Sequence, residues 1–206
     1  MIKKLLFTPG PATTTLAVKN SQIVPDICPR ENDFSELVVD VQNKLLEMVT
    51  SNIKLYECIL FGCSGTGAVE SVISSVILDH SNLLIINNGA YGKRMIQICE
   101  IYNINYTEYN SPSDIKLDLN EIKNFIEDRN ITHVAVVHHE TTSGILNDIK
   151  EIGQLCRLNK KEFIVDAISS FGATHINMEE YEIDYLITSS NKNLQGMAGV
   201  GIVISK

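Results

Sequence analysis

Thr188-Ser189-Ser190-Asn191-Lys192-Asn193-Leu194-Gln195-Gly196 follows the apolar run Tyr185-Leu186-Ile187 and precedes the glycine-rich run Gly199-Val200-Gly201-Ile202-Val203-Ile204. An apolar run, a small polar loop and a second apolar run read as strand, strand end and neighbouring strand. So short a connection suits an antiparallel pair rather than a helical crossover. The loop holds a single lysine among Ser, Ser, Asn and Asn. Only an amine that loses its proton attacks a carbonyl, and the lysine pKa drops readily on desolvation or beside another cation. The plain alternative is a solvated loop lysine, and the residues upstream decide between the two.

Upstream, strand and helix patterns alternate. Strands are expected at 56–61, 83–87, 105–109, 133–138, 162–166 and 184–188, and helices at 68–78, 90–102, 119–127 and 149–159. An earlier helix starts at Ser35 as N-cap, with Leu37, Val38, Val41, Leu45, Met48 and Val49 on one face. Thr8-Pro9-Gly10-Pro11 and 26–32 cannot be strand interiors, so residues 1–34 read as an extended or loop segment. This alternation predicts an α/β fold: a three-layer αβα domain over 1–206, with a mostly parallel sheet and one antiparallel strand. No repeat, low-complexity tract or linker divides it.

The composition is 44% hydrophobic and 20% charged with a net charge of −8, that of an ordinary soluble globular domain without a basic patch. Nucleic acid is not an expected partner. Met1 to Phe7 briefly imitates a signal peptide, but Thr8-Pro9-Gly10-Pro11 ends the apolar run too early, and no stretch is long enough to span a membrane. Cys28, Cys58, Cys63, Cys99 and Cys156 are odd in number and show no CxxC spacing. They read as buried thiols of a cytoplasmic protein rather than a disulfide frame or a zinc site.

In open parallel sheets ligands bind beyond the carboxyl ends of the strands. Reading off those ends gives Ser64-Gly65-Thr66, Asn88-Gly89-Ala90-Tyr91, His139 to Gly144, Asp166 to Ser170, and Ser189 to Lys192, which should share one rim. Ser64-Gly65-Thr66-Gly67 opening a helix suits an anion, or is simply a helix entry with a serine cap; it is neither GxGxxG nor a P-loop. Asp166 is a carboxylate at the end of a buried strand, or a turn cap. Tyr91 offers a ring for a planar ligand, or is a core tyrosine with a wet hydroxyl. His138 and His139 beside Glu140 do not make a metal site, because adjacent strand residues point to opposite faces. Taken jointly, an anion cup, an aromatic plate, a buried carboxylate and a held lysine match pyridoxal phosphate, which has a phosphate, a flat ring, a ring nitrogen and an aldehyde.

These residues also carry a family resemblance. Leu6 to Pro11, Ser64 to Glu70, Asn88 to Arg94, His139 to Gly144, Val165 to Gly172 and Ser190 to Gly196 keep their order along the whole chain, which resembles the class V (fold type I) pyridoxal phosphate aminotransferases, closest to the 2-aminoethylphosphonate:pyruvate aminotransferases. The resemblance implies that Lys192 carries the Schiff base and Asp166 pairs with the pyridine nitrogen. Tyr91 would stack on the ring, Thr142 would reach the ring hydroxyl, and Ser64, Gly65, Thr66 and Asn191 would surround the phosphate, with Ile168 counted in the same cofactor set. Cys63 and Ala198 depart from the usual glycine and proline.

The resemblance further implies a homodimer in the full-length form, pyruvate as amino acceptor, and a C-terminal small domain that supplies the substrate arginine. That domain is expected to be absent here, leaving a chain that alone self-associates and catalyses poorly. The alternatives are an alanine:glyoxylate or serine:pyruvate aminotransferase, and a non-catalytic fragment that acts only as an assembly partner.

Overall fold

The computed structural model describes residues 5, 6 and 8–206. The remaining residues, part of the N-terminal apolar start and of the Leu6 to Pro11 motif, lie outside the described set. The chain order is α1 (Leu16–Asn20), α2 (Asn32–Glu47), a 3-10 turn (Ile53–Leu55), β1 (Glu57–Phe61), α3 (Gly65–Val76), β2 (Leu83–Asn87), α4 (Ala90–Tyr102), β3 (Tyr106–Asn110), α5 (Leu119–Ile126) and β4 (His133–Val137). Then come β5 (His139–Glu140), β6 (Ile145–Leu146), α6 (Ile149–Leu158), β7 (Glu162–Asp166), β8 (Tyr185–Ser189) and β9 (Gly201–Ser205).

Seven strands form one sheet in the order β1-β9-β8-β7-β4-β2-β3. The pairs β2 with β3, β2 with β4, β4 with β7 and β7 with β8 are parallel. β9 runs antiparallel to both neighbours, β1 and β8, as the short loop through Lys192 predicts. From β2 the chain steps outward to β3 and then back to β4 on the other side, and such a reversal opens a crevice beyond the strand ends.

Every residue of β2 and β4 is buried, as a strand covered on both faces requires. The period of two divides the sheet side chains between two cores. Leu84, Ile86, Val134, Val136, Val165 and Leu186 meet Ile122 and Ile126 of α5 and Ile149, Ile152 and Cys156 of α6. Leu83, Ile85, Ala135, Val137, Ile164 and Ile187 meet Val69, Val72 and Ile73 of α3 and Met95, Ile96 and Cys99 of α4. The result is the three-layer αβα arrangement.

Four local expectations need correction. α2 begins at Asn32 after the uncapped Glu31, and Ser35 lies inside it, its hydroxyl bonded back to the Glu31 carbonyl at 3.3 Å. Its supposed buried face is buried only at Leu45, with Val49 just past its end; Leu37, Val41 and Met48 are exposed, because the helix reaches the sheet only near its C-terminus, against β1. The segment before α2 is not wholly irregular, since Thr15 caps the short α1 by accepting from Val18 N–H. The residues after β4 form a small hairpin, β5 with β6, turned through Gly144 at φ 76°.

Candidate active site

Each element that approaches the rim is started or stopped by local chemistry. Ser64 caps α3 by accepting from Gly67 N–H at 3.2 Å, which leaves its own proton free to donate to an anion. The helix-entry reading holds at this residue, and the cap is compatible with an anion beside it. Gly65 is required by space: a Cβ there would stand 2.7 Å from Ile168 Cδ1 and 3.3 Å from Ser189 Cβ. Ile168 thus packs the end of β7 against the start of α3, bringing Gly65 and Thr66 to the same rim as Asp166.

Lys192 follows β8 in a loop closed on itself. Gln195 N–H donates to the Lys192 carbonyl at 2.9 Å, Gly196 N–H to the Ser190 carbonyl at 2.8 Å, and Ser190 N–H to the Val200 carbonyl at 3.0 Å. The loop is anchored on both sides of the lysine. The Asn191 carbonyl accepts from Ala12 N–H at 3.2 Å, and Asn193 Nδ2 donates to the Ser169 carbonyl at 2.9 Å. Asn191 Oδ1 accepts from the Ser189 hydroxyl at 3.0 Å. Gly10 lies directly over the lysine, and a Cβ on it would fall 2.6 Å from Lys192 Nζ. The partly buried amine is held between its own loop and the segment before α1.

Asp166 ends β7 and is 4% exposed. One oxygen accepts from Ile168 N–H at 2.9 Å. Burial pushes its pKa up to about 7; the Ile168 bond opposes this, the Glu140 charge adds to it, and the Lys192 charge opposes it. The pairing of Asp166 with Ile187 across β7 and β8 sets the carboxylate beside the strand that leads to Lys192.

Tyr91, in the first turn of α4, faces Thr142, on the loop after β5. Tyr91 is partly buried, its ring 5.9 Å from the Arg94 guanidinium. Thr142 is exposed, its hydroxyl donating to Glu140 Oε1 at 2.7 Å and accepting from Ala90 N–H at 3.3 Å. Thr141 and Ser169 meet at 2.6 Å, which joins the post-β5 loop to the residues after Asp166. The five strand-end groups do share one rim. The sequence reading overlooked three participants: Gly10, Asn193 and Glu140. All three lie inside quoted motifs, and only their contacts reveal what they do.

His138 instead lines a pocket beside the starts of α5 and α6, with Leu117, Leu119 and Ile149. It is buried, its Nδ1 has no partner, and burial pushes its pKa down to about 4. Among the described residues no group of three or more His, Cys, Asp or Glu could hold a metal, and no helix is long and apolar enough to cross a membrane. Cys58, Cys99 and Cys156 are buried and Cys28 is exposed; all five thiols are free.

The arrangement fits a phosphorylated pyridine aldehyde. A buried carboxylate that holds its proton up to about pH 7 lacks sufficient positive charge nearby, and a protonated ring nitrogen would supply it. An amine on the adjacent strand end would meet the aldehyde, and a helix N-terminus with a free hydroxyl proton would meet the phosphate.

Known proteins bear on this geometry. The class-V aminotransferase family profile matches residues 23–206. A protein of Clostridioides difficile (strain 630), named bifunctional phosphonoacetaldehyde hydrolase/aminoethylphosphonate transaminase, is 43% identical over 202 residues, covering 98% of this chain and 32% of that protein. A 2-aminoethylphosphonate–pyruvate transaminase of Bacillus cytotoxicus is 42% identical over 206 residues, covering 98% of this chain and 55% of that protein. Among solved structures, a ureidoglycine–glyoxylate aminotransferase from Bacillus subtilis superposes with a TM-score of 0.90 at 26% identity, over 99% of this chain and 53% of that one. An alanine–glyoxylate aminotransferase from Nostoc sp. gives a TM-score of 0.92 over 100% of this chain and 54% of that one, and at 23% identity shows the fold alone. The chain spans about half the length of most of these relatives, and a third of the bifunctional one. Sequence and fold together make this chain a member of the class-V aminotransferases.

Proposed function

We infer that the chain carries the cofactor site of a pyridoxal 5′-phosphate-dependent transaminase that moves the amino group of 2-aminoethylphosphonate to pyruvate, giving phosphonoacetaldehyde and alanine. The observation that supports this most is the pairing of a buried, proton-retaining Asp166 with the loop-held Lys192 on neighbouring strand ends. The substrate choice rests on the names of the relatives at 42% and 43% identity. When bound, the cofactor supplies an electron sink for the carbon whose C–H bond breaks.

The residues divide the remaining work. Lys192 would hold the aldehyde carbon of the cofactor, and its free amine would carry a proton to or from the substrate carbon. Asp166 would hold a proton on the ring nitrogen and so maintain the sink. Tyr91 would cover the ring and Thr142 would meet its hydroxyl. Ser64, Gly65, Thr66 and Asn191 would receive the phosphate, while Ile168 sets the spacing between the start of α3 and the end of β7. Gly10, lacking a Cβ, leaves the lysine side chain the room it occupies.

Lys192→Ala should abolish 2-aminoethylphosphonate-dependent alanine formation and leave the far-ultraviolet circular dichroism unchanged, since a loop lysine contributes little to stability. Turnover retained in that variant refutes the reading. Activity with alanine and glyoxylate but none with 2-aminoethylphosphonate keeps the cofactor chemistry and corrects the substrate.

A further inference from the structure

Glu140 has no part in the reading above, yet its carboxylate ties the start of α4, which carries Tyr91, to the loop that carries Thr142. It is wholly buried. Taking a carboxylate out of water is costly unless its oxygens find donors, and here they find three. Oε1 accepts from Thr142 N–H at 3.2 Å and from the Thr142 hydroxyl at 2.7 Å; Oε2 accepts from Tyr91 N–H at 3.1 Å. No ion pair among the described residues includes it. The opposite loop is shaped to admit it: a Cβ on Gly89 would lie 2.3 Å from Glu140 Cγ, 2.4 Å from Cδ and 2.8 Å from Oε2.

An apolar contact could join these two segments at less cost, but it could not orient a hydroxyl. Thr142 is exposed, and an unrestrained threonine hydroxyl at a surface rotates freely. Here its proton goes to Glu140 and one lone pair takes Ala90 N–H, so the hydroxyl has a single orientation with one lone pair left over. Tyr91 is fixed through its backbone by the same carboxylate. The other charged groups that act on the neighbouring Asp166 are Glu140 itself and Lys192, so Glu140 also adds negative charge near the place assigned to the ring nitrogen.

We propose that Glu140 is a positioning residue for the cofactor ring, setting Tyr91 and the Thr142 hydroxyl as one unit and acting through them without touching the ring. This rests on the reading of the rim as a pyridoxal phosphate site. A strut that merely supports the fold would weaken ligand binding independently of Thr142, whereas a positioning residue works through it.

The test is a double-mutant cycle on the affinity for pyridoxine 5′-phosphate, which has the ring, hydroxyl and phosphate but no aldehyde to react with Lys192. Glu140→Gln keeps the shape but replaces one acceptor by a donor, and should weaken binding roughly ten-fold. Thr142→Val should weaken it by a similar factor. The double variant should bind within about two-fold of the weaker single variant, because both changes break one unit. Thermal melting of each unliganded chain reports whether it folds; should Glu140→Gln not fold, Gly89→Ala takes its place in the cycle, since the added methyl displaces the same carboxylate. Unchanged affinity, or losses that multiply in the double variant, overturns the role of Glu140. Failure of the unsubstituted chain to bind pyridoxine 5′-phosphate counts instead against the proposed function itself.

Discussion

Asp166 shows how a single buried group links stability to chemistry. Its pKa in the fold, about 7, lies above the ordinary carboxylate value of 3.8. Between those two values the folded chain binds more protons than the unfolded one, so this group's contribution is full at low pH and is lost as pH rises through about 7. Asp166→Asn removes the buried charge. The unliganded variant should be more stable than the parent at pH 8 by a few kcal/mol, with the difference vanishing toward pH 4, while its affinity for the cofactor falls. Urea unfolding of both chains across that range checks it. His138, pushed down to about 4, acts in the opposite sense, losing stability as pH falls through the histidine range, but it is present in both chains and cancels from the difference. Asp166 and Lys192 were legible in the sequence because each is a polar residue just where an apolar strand stops. Glu140 was not, because one of its donors is the backbone N–H of a residue 49 positions away, and a backbone donor leaves no mark in a sequence.

At the scale of elements, legibility followed burial. β2 and β7 were readable to the residue, since apolar runs covered on both faces end abruptly at polar strand ends. The start of α2 was not, because that helix lies mostly in water and nothing in the packing marks its first turn. The β5 and β6 hairpin escaped because two-residue strands have no period to detect. Helix α6 holds a feature that propensity alone would misjudge. Gly153 lies mid-helix, where alanine ordinarily stabilises by about 1 kcal/mol. A Cβ there would stand 1.8 Å from the Tyr181 carbonyl oxygen, which is backbone and cannot swing aside. Overpacking outweighs propensity, so Gly153→Ala should destabilise by roughly 1–3 kcal/mol or more, read as a lower urea midpoint at unchanged slope.

For the whole molecule, the αβα layering and the one reversed strand followed from the alternation and from the short Lys192 loop. The order of strands within the sheet did not, since side-chain patterns say which face is buried and not which strand lies beside which. The described surface carries large apolar side chains along α1, α2 and the segment between them, including Leu16, Ile23, Val24, Leu37, Val39 and Val41. Ile23 is 83% exposed and Leu37 50%. Exposed apolar side chains in this number favour association over solvation. The chain should sediment as a self-associating species, and Leu37→Lys with Val41→Glu should shift it toward monomer; a parent chain that is already monodisperse refutes this.

The position of β9 bears on how the protein is made. Among the described residues β1 pairs in the sheet with β9 alone, which comes from residues 201–205, whereas β1 itself is finished at Phe61. On the ribosome β1 therefore leaves the exit tunnel long before its neighbour has been synthesised. Its edge stays unpaired while helices α3 to α6 and strands β2 to β8 accumulate behind it, and loop closure over so great a separation is slow. Vectorial synthesis can build the parallel half of the sheet as it goes, but the half holding β1 closes only when β9 emerges. Until then the nascent chain exposes a strand edge of the kind that chaperones bind.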